Sequence, residues 1–187
     1  IAEELGLICF SSPFDNTSVD YLERMNVPAY KVASFEITDI PLIRKIAKLH
    51  KPIILSTGIA QIEDIERAIQ VCVEEKNYQV ILLKCASAYP TPYEDMNLKT
   101  MSNMEETFGC ITGLSDHTMG TAASVAAVAM GAKVIEKHLT LSRKDGGPDG
   151  IFSMEPDELK KLVDEIRIVE KAMGTVKYEL TSKQKKN

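Results

Sequence analysis

Six short apolar runs, starting 22 to 30 residues apart and separated by helical patterns, leave this sequence few folds to choose from. They are "LICFSS" (7–12), "AYKVAS" (29–34), "PIILST" (52–57), "VILLKCAS" (80–87), "CITGLS" (110–115) and "KVIEKH" (133–138). Each is nearly continuous in apolar residues rather than alternating, the pattern of parallel strands covered on both faces. The intervening segments, such as "DIPLIRKIAKLH", "QIEDIERAIQVCVEE" and "EPDELKKLVDEIRIVEKAMG", carry apolar residues at helical spacing behind capping residues. The segment "TSVDYLERM" is read as starting on its own Thr/Ser cap. A row of βα units builds either a doubly wound sheet or a (β/α)8 barrel.

The polar residues closing each run favour the barrel. In order they are Ser11 and Ser12; Lys31, Ser34 and Glu36; Ser56 and Thr57; Lys84 and Ser87; Ser115, Asp116 and His117; Glu136 and His138. Every strand delivers chemistry at its C-terminal end, where (β/α)8 barrels gather their active sites. A doubly wound sheet concentrates its ligand at one switch point instead. The expected fold is therefore an α/β TIM barrel, present as about six βα units over residues 1–174, with its first two strands lying before residue 1.

With 187 residues the chain has room for a sizeable core. A net charge of −5 argues against a general nucleic-acid or membrane-surface binder. No apolar stretch approaches the roughly 20 residues that span a bilayer. The four cysteines form no CxxC pair, and three of them (Cys9, Cys85, Cys110) sit in strand-like runs. They read as buried free thiols of a cytoplasmic protein. Neither GxGxxG nor GxxxxGK[ST] is present, so the usual nucleotide loops are absent.

Two of the three histidines, His117 and His138, end successive strands, each preceded by a carboxylate. Neutral imidazole is the commonest metal ligand, and a carboxylate often orients it. Two such ligands leave positions open for water and substrate. His50, at a helix end, reads as a solvated terminal residue. Ser34, Ser56, Ser87 and Ser115 close four consecutive strands, with Lys31 and Lys84 nearby, a set of donors suited to a phosphate.

The motifs "AYKVASFE", "KPIILSTGIA", "LKCASAYPTPYEDMNL", "GLSDHT", "VIEKHLTL" and "GGPDGIFSMEPDEL" resemble the sialic acid (N-acetylneuraminate) synthase family along essentially the whole chain. Phe35 in "KVASFE", Ser87 in "KCASAYP" and the run "LSRKDGGPDGIFS" resemble its pseudaminate branch. The resemblance implies a barrel that condenses phosphoenolpyruvate with an open-chain N-acetylated amino sugar. For that branch the sugar is 2,4-diacetamido-2,4,6-trideoxy-L-altrose, and the products are a nine-carbon nonulosonic acid and phosphate. Matched position by position, His117 and His138 become ligands of a divalent metal, Mn²⁺ foremost, with Mg²⁺ or Co²⁺ as alternatives. Lys31, Ser34, Ser56, Ser87 and Ser115 become phosphoenolpyruvate-binding residues. Lys31, Glu36, Tyr89 and Asp149 become catalytic-region residues.

The resemblance also implies a domain-swapped homodimer. Residues 175–187 become a linker toward a C-terminal antifreeze-like domain outside this chain, and the chain alone is expected to lack activity. Other readings remain open: N-acetylneuraminate or legionaminate synthesis, a non-catalytic metal- or phosphate-binding barrel fragment, or a Schiff-base aldolase acting through Lys31 or Lys84.

Overall fold

The computed structural model describes residues 1–180; of the expected linker over 175–187, residues 181–187 lie outside the described residues. Five parallel strands, β1 (Tyr30–Val32), β2 (Ile53–Ser56), β3 (Val80–Cys85), β4 (Ile111–Asp116) and β5 (Val134–Lys137), pair in sequence order. They make a curled half-barrel. Helices α1 (Asn16–Arg24), α2 (Ile40–Ala47), α3 (Ile62–Glu74), α4 (Lys99–Phe108), α5 (Ala122–Ala129) and α6 (Pro156–Met173) connect and cover them. No helix among the described residues is long and apolar enough to cross a membrane.

The first apolar run departs from expectation. Residues 7–12 form no ladder, only a single parallel bridge from Ser11 to Tyr30. Leu7 and Ile8 are 62% and 78% exposed, because β1 flanks the run on one side and no described strand flanks it on the other. Cys9 shares that exposure, contrary to its expected burial; Cys72 and Cys85 are buried and Cys110 is half-buried.

Local chemistry explains the helix starts. Asp15, not Thr17 or Ser18, caps α1: its carboxylate accepts the Ser18 N–H at 2.7 Å. Asp39 caps α2 through the Leu42 N–H at 3.0 Å. Capping boxes open α3 (Gln61 with Asp64) and α6 (Glu155 with Glu158, and Pro156 in the first turn).

Strand register sorts side chains onto two faces. Residues paired across parallel strands share a face, and neighbours along a strand alternate. Tyr30, Val32, Ile53, Leu55, Val80 and Leu82 thus meet the helices and build the main core with Ile43, Ile46, Ile65 and Val71. The opposite face is the inside of the half-barrel, and it carries Lys31, Ser56, Leu83, Cys85, Ser115 and Glu136. Gly113 also lies there. A Cβ at that position would strike the Val134 carbonyl and come within 2.9 Å of the Leu83 side chain, so only glycine allows this approach of β5.

Candidate active site

A cavity of about 340 Å³ opens at the C-terminal ends of the strands. Of the residues singled out in the sequence, Lys31, Ser34, Ser56, Tyr89, Ser115, His117 and His138 line it. Ser12, Cys85, Glu136 and Lys137 line it as well.

Lys31 leaves β1 into this space. Its ammonium donates to Ser56 Oγ at 2.7 Å and to its neighbour's carbonyl, Val32 O, at 3.2 Å. Glu136 Oε2 lies 3.7 Å away. Burial pulls the Lys31 amine below its ordinary value, and Glu136 opposes that pull. Glu136 in turn accepts the Ser115 hydroxyl at 2.6 Å, its register partner on β4. One polar chain, Ser56–Lys31–Glu136–Ser115, therefore crosses the inside of the sheet.

Beside it lies a pocket of hydroxyls that a side chain would fill. Gly58 donates its N–H to Ser34 Oγ at 3.1 Å. A Cβ on Gly58 would collide with Ser87 Oγ, sit 2.8 Å from Ser34 Oγ and 3.1 Å from Cys85 Sγ. Ser87 does not line the main cavity, yet its Oγ is buried there with no hydrogen-bond partner. Glu36, in a 3-10 turn over Ser34–Thr38, likewise has a buried, unpartnered Oε2. Unsatisfied buried polar atoms are uncommon and costly, which makes these two the unspent hydrogen-bonding capacity of the site.

The histidines close the other wall. His117 is 5% exposed, and its Nδ1 sits 3.0 Å from the Ala86 carbonyl. A carbonyl only accepts, so Nδ1 carries a proton, and in the neutral ring the lone pair is on Nε2. His138 faces it with ring centroids 5.3 Å apart. Burial, then the neighbouring His117, holds the His138 imidazole below its usual value, while Asp149 pulls the other way. The Met154 N–H donates to the His138 carbonyl at 2.8 Å, and Ser153 Oγ donates to the Asp149 carbonyl at 2.7 Å. That return of the chain brings Asp149 Oδ2 to 3.6 Å from His138 Nδ1. Tyr89 stacks 4.3 Å from His117, and buried Phe152 packs 5.0 Å from His138.

Two imidazoles lining one cavity fit a divalent cation that keeps open coordination positions. No cluster of three or more His, Cys, Asp or Glu side chains converges among the described residues, so the described residues supply no further set of protein ligands.

The structure corrects several expectations. Asp116 and Glu136 do not orient the imidazoles; the Ala86 carbonyl meets His117 Nδ1, and the carboxylate nearest His138 is Asp149, at 3.6 Å. Lys84 points to the opposite face from Cys85 and spends its ammonium on the Cys85 carbonyl at 2.7 Å. Thr57 turns its hydroxyl to the Leu83 carbonyl at 3.0 Å. Phe35 is 64% exposed on the turn between Ser34 and Glu36. Phe152 and Gly58 had no signal of their own in the sequence, since one reads as helix-flanking apolar surface and the other as a turn glycine.

The NeuB family model matches residues 1–178. The pseudaminic acid synthase of Campylobacter jejuni strain 81-176 is 47% identical over 186 residues, which is 100% of this chain and 54% of that protein. The N,N'-diacetyllegionaminic acid synthase of Campylobacter jejuni is 44% identical over 188 residues, 100% of this chain and 56% of that protein. The chain thus spans about half the length of the curated relatives it matches. The crystal structure of an N-acetylneuraminic acid synthetase from Leptospira borgpetersenii superposes with a TM-score of 0.92 at 34% identity, covering 99% of this chain and 65% of that one.

Proposed function

This chain belongs to the NeuB family, and from that membership we propose that it carries the substrate pocket of a phosphoenolpyruvate-dependent nonulosonic acid synthase. The proposed acceptor is 2,4-diacetamido-2,4,6-trideoxy-L-altrose and the product pseudaminic acid; the pseudaminic acid synthases among its relatives support that branch. The observation that carries the reading is the convergence of the Lys31 ammonium, the Ser34, Ser56 and Ser115 hydroxyls and both imidazoles on a single cavity.

In this reading Lys31, Ser34, Ser56 and Ser115 hold phosphoenolpyruvate, with Ser87 Oγ and the Gly58 pocket receiving phosphate oxygens. Lys31 supplies positive charge, and the hydroxyls supply donors aimed before the reaction begins. The nucleophilic enol carbon forms a bond to the aldehyde carbon of the sugar. The adjacent carbon, which bears the phosphate ester, becomes electron-poor; water adds to it, and phosphate departs from it with cleavage of that C–O bond. His117 and His138 would hold a divalent cation, Mn²⁺ in our assignment, which when bound supplies Lewis acidity toward the aldehyde oxygen. Asp149 steadies His138, and Tyr89 with Phe152 forms the apolar wall on the sugar side. Glu36 stands beside Phe35 at the rim, where the sugar's methyl and second acetamido group would be read. We assign the intact protein to a homodimer in the cytoplasm.

The test is an assay of the intact protein with phosphoenolpyruvate, Mn²⁺ and either the diacetamido-trideoxy sugar or N-acetylmannosamine, following phosphate release and product mass. The expected result is preference for the diacetamido sugar, with Phe35→Gly narrowing the gap by the roughly 1–3 kcal/mol that apolar contact can supply. Efficient N-acetylneuraminate synthesis by the unmodified protein would overturn the pseudaminate assignment. No phosphate release with any sugar would overturn the synthase reading.

A further inference from the structure

Next to the two imidazoles along β4 and β5 lies a buried ion pair that the chemistry above does not use, its Lys137 also at the cavity wall. Asp116 and Lys137 are register partners on β4 and β5, each one residue ahead of a histidine. Lys137 Nζ lies 3.1 Å from Asp116 Oδ2, and their side chains are 5% and 0% exposed. The rest of the carboxylate is occupied: Ser124 Oγ on α5 donates to Oδ2 at 2.6 Å, and the Thr118 N–H donates to Oδ1 at 2.8 Å. Lys137 Nζ also donates to the Thr118 carbonyl at 2.6 Å. The residue that follows His117 is therefore clamped at its N–H by the β4 carboxylate and at its carbonyl by the β5 ammonium, whose own neighbour is His138.

A buried ion pair is a poor source of stability, since apolar residues of like volume often do as well or better. What such a pair supplies is a fixed geometry between the elements it joins. Here it joins the two strands whose next residues are the imidazoles, and it anchors both to α5.

We propose that Asp116 and Lys137, held by Ser124, are positioning residues that set the separation of His117 and His138 and thereby the affinity of the site for a divalent cation. This rests on the metal reading given above. Residues that orient ligands from behind typically change metal affinity by about 10- to 100-fold when altered.

The experiment measures Mn²⁺ binding by the intact protein, using calorimetric titration and the electron paramagnetic resonance of bound Mn²⁺, with thermal melting of the metal-free protein as the control for folding. The double variant Asp116→Asn with Lys137→Met removes both charges together and strands neither. The expected result is a folded protein whose Mn²⁺ affinity falls by about 10- to 100-fold with an altered resonance spectrum. Lys137→Arg, which keeps the charge, should retain most of the affinity. His117→Ala separates the two readings. If it loses Mn²⁺ binding while the folded double variant binds as wild type, the positioning role is wrong and the metal site stands. If His117→Ala itself binds as wild type, the metal reading fails. Should the double variant not fold, Ser124→Ala withdraws one hydrogen bond from Asp116; weaker Mn²⁺ binding at unchanged melting temperature supports the role, and unchanged binding overturns it.

Discussion

Ser56 illustrates how one side chain serves two partners. Its Oγ accepts from Lys31 Nζ at 2.7 Å, which leaves its own O–H free to donate into the cavity. Ser56→Ala removes that donor and releases the ammonium it steadies. Hydrogen bonds to charged groups contribute about 1.5–3 kcal/mol, so the KM for phosphoenolpyruvate should rise roughly tenfold to hundredfold while the KM for the sugar moves little. Steady-state kinetics with each substrate varied in turn decides it; an effect confined to the sugar would put Ser56 in the wrong subsite. Cysteine chemistry gives a second residue-level test. Burial pushes the Cys72 thiol from 9.0 up to about 11, whereas Cys9 lies exposed. A raised thiol value means that the protonated, folded form is favoured below pH 9 and that this contribution is lost as pH climbs toward 11. At pH 8 a maleimide should therefore modify Cys9 in the native protein and reach Cys72 only in denaturant, read by mass spectrometry of the labelled peptides. Modification of Cys72 in the native protein at the rate of Cys9 would contradict the burial.

At the scale of elements, the contact between β4 and β5 matters most, because these strands carry Ser115, Glu136 and, just beyond them, both imidazoles. Gly113 is the residue that permits it. A methyl group there has the Val134 carbonyl and the Leu83 side chain in its path, and the Val134 backbone does not yield without displacing β5. Gly113→Ala should cost about 1–3 kcal/mol, the usual penalty for overpacking, measured as a lowered urea midpoint. A midpoint equal to wild type would mean that β5 can shift freely. The helices were legible in the sequence to within a few residues at each end, because caps and apolar spacing are local properties. The strands were legible as runs but not as faces. The polar residues closing each run read as one set, yet alternation sends Lys31, Ser56, Ser115 and Glu136 inward, while Thr57, Lys84 and Asp116 turn toward the helices. Parity of this kind depends on where each ladder begins, which a continuously apolar run does not reveal.

For the molecule as a whole, the main apolar core and the cavity are separate. The core lies between sheet and helices, and the cavity lies inside the curl at the strand ends. Removing a bound cation should therefore abolish activity without unfolding the protein: chelation of the intact enzyme is expected to stop turnover, leave the far-ultraviolet circular dichroism unchanged, and be reversed by Mn²⁺. Loss of helical signal on chelation would show that the metal holds the fold together. The amino-acid sequence by itself determined the βα alternation, the parallel strand class, the approximate helix positions and the family, because hydrophobic period, caps and long motifs are written in neighbouring residues. It also brought the two histidines and the serines to notice as strand-end residues. Only the tertiary structure decided which of them share a cavity, that the Ala86 carbonyl and Asp149 flank the imidazoles, that Phe152 packs against His138, and that the first apolar run stays outside the sheet with one bridge. Each of these depends on register and on side chains far apart in the chain, and a strand slipped by one residue would exchange every inward group for an outward one.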